Sequence, residues 1–250
     1  MADKDDKLRR SSLVEMIMLR LQEEILAGKY GAGNSLPPER ELAERFGVNR
    51  TSVKHALMKL EQFGLIRIKH GIGSLVTDFA ERGGAQLLEH LIVRGGMPDL
   101  ELLADLLEVR AHLGGVIARL AARRRSDEDL ERLTAVLTEL GRNLEEPARV
   151  QFLENRFFRD LTLATGNQAL KFLTNSISAA YRTQFGMFQH AFGDTAWVHA
   201  SLEEVRAAVE AGDEDRAAGA CARYLAASGE KMVEGLRERL KAGDEGAQRA

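Results

Sequence analysis

Asn49, Arg50, Thr51, Ser52 and Lys54 gather two cations, two hydroxyls and an amide into one short stretch of chain. Such a set offers hydrogen-bond donors and little else. At the start of a helix, side chains and backbone N–H groups point the same way, so a dense row of donors there suits an anionic polymer. Arg50 is the expected base reader, because its planar fork can donate twice to guanine. Thr51 and Ser52 suit phosphate oxygens, Lys54 suits either role, and Asn49 stands where a helix cap belongs. Arg40, upstream, is placed to clamp a phosphate. His70 and Gly71 leave room for a close backbone approach to a minor groove. DNA contacts are therefore expected from Arg40, Asn49, Arg50, Thr51, Ser52, Lys54, His70 and Gly71.

The surrounding pattern supplies elements to hold these residues. "SSLVEMIMLRLQEEILAGKYGAG" places Leu13, Ile17, Leu21 and Ile25 at helical spacing before glycines stop it. "SLPPERELAERFG" predicts a short helix, with Pro38 in the first turn, Glu39 and Glu41 near its positive end, and Gly47 closing it. "VNRTSVKHALMKLEQFG" repeats Val53, Ala56, Leu57, Leu60 and Phe63 on one face. Two helices around the tight "FGVN" turn make a helix-turn-helix. "LIRIKHGIGSLVTDF" then alternates apolar and basic residues, turns at "HGIG" and resumes, which predicts a β-hairpin. That order is a winged helix-turn-helix, expected over residues 1–79. The paired glycines of "AERGGAQ" predict a linker over 80–86. Beyond it no convincing strand appears. Residues 87–243 are expected to form an all-helical bundle of six or seven helices for ligand binding and dimerisation, and 244–250 a disordered tail. The fold class is mostly α.

The totals exclude several classes of function. No apolar run reaches the roughly 18–20 residues needed to span a bilayer, and Glu15, Arg20, Glu23 and Glu24 interrupt the first apolar stretch, so a cytoplasmic protein without membrane contact is expected. Cys221 is the single cysteine and reads as a small buried apolar residue. Residues 1–77 carry 13 Lys/Arg against 10 Asp/Glu, the rest 22 against 28, so a basic N-terminal part precedes an acidic one. There is no nucleophile–base pair, and "GIGSLV" and "GAGNSL" lack the Lys-Ser/Thr and helix of a phosphate loop; an enzyme is not expected.

"LPPERELAERFGVNRTSVKHALMKLEQFGLIRIKHGIGSLV" resembles the winged helix of GntR-type bacterial transcription regulators, in particular the fatty-acid-responsive FadR branch. "LLADLLEVRAHLGGVIARLAA", "FFRDLTLATGN" and "VRAAVEAGDEDRAAGACARYL" resemble segments of that branch's effector domain. The resemblance implies a homodimer on a pseudo-palindromic double-stranded operator, with affinity altered by a small ligand in the bundle. Many relatives bind a metal through an Asp, a His and two further histidines. Here those positions fall on Asn155, Arg159, Leu202 and, nearly, Tyr224, so no metal and no cofactor are expected; His190 and His199 read as surface or capping residues.

"YRTQFGMFQHAF" and "RYLAASGE" resemble the branch's ligand-binding helices. By that resemblance the effector is a long-chain acyl-CoA, with Arg110, Tyr181, Phe185, Tyr224 and Ser228 as effector-binding residues, and Phe157, Phe158, Phe172, Phe188 and Met187 joining Phe185 along the acyl chain. Leu225 and Met232 depart from the branch's glycine and bulky aromatic and point to a different tunnel shape. The alternative is a metal-free regulator of carboxylate or sugar-acid catabolism, with Arg110 and Arg159 holding a small anion.

Overall fold

The computed structural model describes residues 2–84, 87–94, 97–182 and 194–247, the side chains of 2–12, 89–90, 94, 179–182 and 242–247 excepted. The chain divides into two compact units, Met1–Pro98 and Asp99–Ala250.

In the first unit, α1 (Ala2–Leu26) buries Val14, Ile17, Met18, Leu21 and Ile25, the face its spacing predicts. α2 (Glu39–Phe46) ends at Gly47, whose φ of 65° is the left-handed turn that lets α3 (Arg50–Gln62) start three residues later. α3 sends Val53, Ala56, Leu57 and Leu60 into a core shared with α1 and with Leu42 of α2. The wing is an antiparallel pair, β1 (Ile66–Lys69) and β2 (Gly73–Val76), in register from Ile66 against Val76 to Lys69 against Gly73. Sequence pattern alone missed the segment before α2: Ser35 bridges Leu75, and Leu36 N–H and Val76 N–H donate across to Ser74 and Asn34 carbonyls at 2.8 Å each. These bonds tie β2 to the entry of the helix-turn-helix.

The boundary between units falls later than the linker expected at 80–86. Phe79–Arg82 forms a one-turn helix, α4, capped by Asp78, and Leu87, 1% exposed, belongs to the N-terminal core. Gly83 permits this tight return, since a Cβ there would lie 2.5 Å from the Phe79 carbonyl oxygen and 2.6 Å from Leu87 Cδ1. The glycines turn the chain without releasing it. After α5 (Leu88–Leu91), two short strands, β3 (Val93–Arg94) and β4 (Met97–Pro98), pair antiparallel where no strand was expected. Strands of two residues each are too short to leave a periodic signal.

The second unit is helical throughout its described residues: α6 (Leu100–Arg124), α7 (Asp127–Gly141), α8 (Pro147–Ala164), α9 (Gln168–Arg182), α10 (Thr195–Glu210) and α11 (Glu214–Ala247). Starts follow local chemistry. Asp99 accepts from Leu102 N–H, Ser126 and Asp129 form a capping box, Pro147 opens α8, and Asp194 accepts from Trp197 N–H. α11 runs to Ala247, past the point where a disordered tail was expected to begin. The closest packing is α6 on α11, where a Cβ added at Gly114 would lie 2.1 Å from Leu225 Cδ1.

Candidate functional site

The N-terminus of α3 is built by its own first turn. Asn49 Oδ1 accepts from Ser52 N–H at 2.8 Å and from Ser52 Oγ at 3.0 Å. Ser52, read in the sequence as a phosphate donor, is 5% exposed and gives its hydroxyl to this cap. Its effect is to hold Arg50, Thr51 and Lys54 outward, and all three are exposed. His55 and the 45% exposed Met58 extend the same surface; they occupy the solvent side of the helical repeat, a signal present in the sequence but not used there. Arg40 is exposed at the start of α2, 3.8 Å from Glu44 of the next turn.

The wing is held to α3 by Glu61 Oε1, which accepts from Ile68 N–H at 2.7 Å, and to the turn after it by Thr77, whose hydroxyl donates to the Gly64 carbonyl. Arg67, Lys69 and His70 are exposed, and the tip turns through Gly71 at φ 75° and Gly73 at φ 108° around Ile72, itself 62% exposed. Exposed donors on a fixed helix start, beside a fixed basic hairpin, are what groove and phosphate contacts require.

In the second unit a cavity of about 270 Å³ lies among α6, α8, α9 and α11. Its apolar lining includes Leu113, Ile117, Phe158, Leu163, Ile177 and Leu225; its polar lining includes Arg110, Asn155, Arg159, Lys171 and Ser178. Arg110 is 9% exposed, and Arg159 and Lys171 are exposed. One wall of the cavity is thus a buried cation and another an exposed basic rim.

Behind Arg110 stands a buried polar cluster. Arg110 Nη2 donates to Glu154 Oε1 at 3.0 Å, Tyr224 Oη donates to the same oxygen at 3.0 Å, and Arg110 Nη1 approaches Ser228 Oγ at 3.4 Å. Three of the five effector residues named from the resemblance, Arg110, Tyr224 and Ser228, therefore meet at one point. Tyr181 lies in α9 but its side chain, like all of Phe185, is outside the described residues. Phe158 stacks on Tyr224 with ring centroids 6.0 Å apart, and the Trp197 ring lies tilted 5.2 Å from Tyr224. Burial raises the Glu154 carboxyl above its ordinary value, against the opposing pull of Arg110 and Tyr224. Burial also raises the Tyr224 hydroxyl and pushes the Cys221 thiol up to about 12, so that thiol is inert at neutral pH.

Glu154 was not singled out in the sequence, although its position there is informative: it shares the face of Val150, Leu153, Phe157 and Leu161, all fully buried, just as Arg110 shares that of Leu103, Leu106 and Leu107. Two opposite charges on two apolar faces signal a buried pair. Phe158 lines the cavity, whereas Phe157 is fully buried in the core and Phe172 is 69% exposed. α9 turns Lys171, Thr174 and Ser178 to the cavity, and residue 172 falls about 100° away around the helix. Phe188, Met187 and His190 lie outside the described residues.

At the positions where the resemblance would put metal ligands, Asn155 donates to the Gln151 carbonyl at 2.7 Å, Arg159 lies 3.3 Å from Asp160, and Leu202 is fully buried. His199 sits 3.8 Å from Glu203. Among the described residues no group of His, Cys, Asp and Glu could hold a metal ion, and no helix is long and apolar enough to cross a membrane.

A model of the family described as bacterial regulatory proteins, gntR family, matches residues 13–76, and a model of the FCD domain matches residues 105–227. Over 230 residues the chain is 39% identical to a Mycobacterium tuberculosis protein named uncharacterized HTH-type transcriptional regulator Rv0494, spanning 92% of this chain and 93% of that one. It is 31% identical over 172 residues to the fatty acid metabolism regulator protein of Escherichia coli O1:K1 / APEC, 69% of each. Among solved structures, one titled for Lar and its control of the Listeria monocytogenes agr system matches with a TM-score of 0.58 at 18% identity, covering 88% of this chain and 96% of that one, a likeness of fold. With a winged helix in its first unit, helices in its second, and both models matching in that order, the chain belongs to the GntR family of bacterial transcription regulators, with an FCD domain following its DNA-binding unit.

Proposed function

We propose that the chain is a ligand-responsive, dimeric regulator of fatty-acid metabolism, whose operator binding is modulated by a long-chain acyl-CoA held in the helical unit. The observation that carries this reading is the cavity: its walls are mainly apolar, from four helices, with exposed Arg159 and Lys171 at one side. An acyl chain suits the first feature and a phosphate-bearing head the second. About 270 Å³ is just below the roughly 300–1,000 Å³ usual for small-molecule sites, enough for part of an acyl chain. The name of the Escherichia coli relative supports the choice of effector class. The alternative, a small organic acid bound by Arg110 and Arg159, is weakened because Arg110 already pairs with Glu154.

In this reading Arg50 reads a base, Thr51, Lys54 and Arg40 meet phosphates, and His70 and Gly71 reach the minor groove. Asn49 and Ser52 fix the start of the reading helix. Two protomers place their recognition helices about one DNA turn apart, roughly 34 Å, on a pseudo-palindromic site. Ligand and DNA then influence each other reciprocally: an acyl-CoA that weakens operator binding binds less tightly to the DNA complex by the same factor.

Titration of the whole protein with palmitoyl-CoA by calorimetry, against free CoA, free palmitate and a chelator-treated sample, tests the effector. Saturable binding that needs both chain and head, and ignores chelation, is the expected result; binding by small acids alone would replace it with the alternative. On duplexes selected from a random pool, Arg50→Ala should lose about 1–3 kcal/mol of specific affinity, with discrimination relaxed at one base pair. Unchanged affinity would remove α3 from the DNA.

A further inference from the structure

The cavity has a cation in its wall that is not available to an anion. Arg110 is buried, one guanidinium nitrogen is 3.0 Å from Glu154 Oε1, and the other faces Ser228 at 3.4 Å. Glu154 is 1% exposed and does not line the cavity, so it stands behind Arg110 as seen from the ligand's side. Tyr224 donates to the same carboxylate oxygen and makes ring contacts with Phe158 and Trp197, so the cluster is held from four helices. In the small-acid alternative read from the sequence, Arg110 is with Arg159 an anion holder. The geometry gives its charge to a partner inside the fold.

We propose that Glu154 is a specificity-determining residue of the effector site: by neutralising Arg110 from behind, it makes that wall of the cavity reject small carboxylates and accept the uncharged part of an amphiphile, leaving the anionic head to Lys171 and to Arg159, whose side chain, though 3.3 Å from Asp160, is 66% exposed. The inference rests on the effector reading above and sharpens it by assigning which end of the ligand goes where. The physical reason is the cost of bringing a second carboxylate beside one already there. An anion at Arg110 would share one buried cation with Glu154, and two carboxylates on a single guanidinium in a low-dielectric wall repel more than either gains. Replacing Glu154 by its neutral isostere leaves the cation, the cavity shape and an acceptor for Tyr224 in place, and removes only the competing charge.

The test uses the whole protein with two probes, succinate and lauroyl-CoA, read by calorimetry and by the fluorescence of Trp197, the chain's single tryptophan, which touches Tyr224. Wild type should bind lauroyl-CoA and ignore succinate. Glu154→Gln should gain succinate affinity by about tenfold or more, roughly 1.4 kcal/mol, and adding Arg110→Met should abolish the gain. Arg159→Met should leave that gain intact while weakening lauroyl-CoA. A folded Glu154→Gln protein that still ignores succinate would overturn the proposal, as would wild-type succinate binding that disappears with Arg110→Met. If the Gln variant fails to fold, Glu154→Asp keeps the charge but withdraws it by one methylene, and a smaller succinate gain is expected; none would again overturn the assignment. Failure of lauroyl-CoA on wild type, with the succinate gain present, would sink the acyl-CoA reading and uphold the role of Glu154.

Discussion

Each unit contains a glutamate–arginine pair, and the two pairs behave in opposite ways. In the N-terminal unit Glu24 of α1 takes both terminal nitrogens of Arg45 on α2, one at 2.9 Å, and Lys29 at 3.0 Å. Arg45 is 36% exposed, so water still solvates the pair, and its hydrogen bonds hold the Glu24 carboxyl down at about 2. In the C-terminal unit the Glu154–Arg110 pair has side-chain exposures of 1% and 10%, and there desolvation outweighs the partner and raises the glutamate. The same two side chains make a staple where water remains and a constrained, costly cluster where it does not. One ties the first helix to the helix-turn-helix. The other shapes the wall of a cavity.

The largest effect should come from breaking the buried pair on one side only. Glu154→Ala leaves Arg110 as an uncompensated charge, and the helical unit should lose about 3–5 kcal/mol in urea unfolding followed by Trp197 fluorescence. The double variant Arg110→Met/Glu154→Met should recover most of that loss, because the apolar surroundings suit two thioethers better than one ion. A single variant costing less than the double would erase the contrast between the two units.

A smaller cost is expected at the start of the reading helix. Asn49→Ala removes the acceptor for both Ser52 donors, and about 0.5–2 kcal/mol of stability should go with it, seen as a lower melting point of the N-terminal unit. Operator affinity should fall alongside, since Arg50 and Lys54 then start from a frayed turn.

The smallest effect belongs to the solvated pair. Glu24→Gln should cost about 1 kcal/mol at neutral pH, less than the full shift to about 2 would give, because Arg45 is 36% exposed and the amide oxygen still accepts from it. Its pH dependence is the sharper test. The Glu24 contribution is present above the ordinary carboxyl value of 4.5 and lost as pH falls towards about 2. For Glu154, whose carboxyl is raised on folding, the sign reverses: its contribution is present below 4.5 and lost as pH rises through the folded value. Plotted as wild type minus Gln variant, the stability differences should therefore slope in opposite directions with pH. Parallel slopes would mean the two pairs share one environment after all.

The winged helix was readable because its signals are local. Gly47 ends one helix, Asn49 caps the next, and the "HGIG" turn closes the hairpin, each within a few residues of the element it controls. The helix starts of the second unit are set just as locally, at Asp99, Ser126, Pro147 and Asp194. Where the reading diverged, the cause was an interaction over distance or a segment without periodicity. The strand-like run at Ser35 exists because β2 offers it hydrogen bonds, β3 and β4 are two residues each, and Leu87 carries the first unit past the paired glycines by burying against its core.

The sequence by itself determined the local chemistry: donors concentrated at one helix start, apolar faces at helical spacing, and, at Arg159 and Leu202, side chains that cannot ligate a metal. Only tertiary structure decided what those side chains face. Ser52 turned inward to its cap while Arg50 turned outward, and Phe172 left the cavity that Phe158 entered. Arg110 found its counter-charge 44 residues away on another helix. Residue type fixes a group's charge and reach, but its worth is set by burial and by partners brought from distant parts of the chain, and those are properties of packing alone.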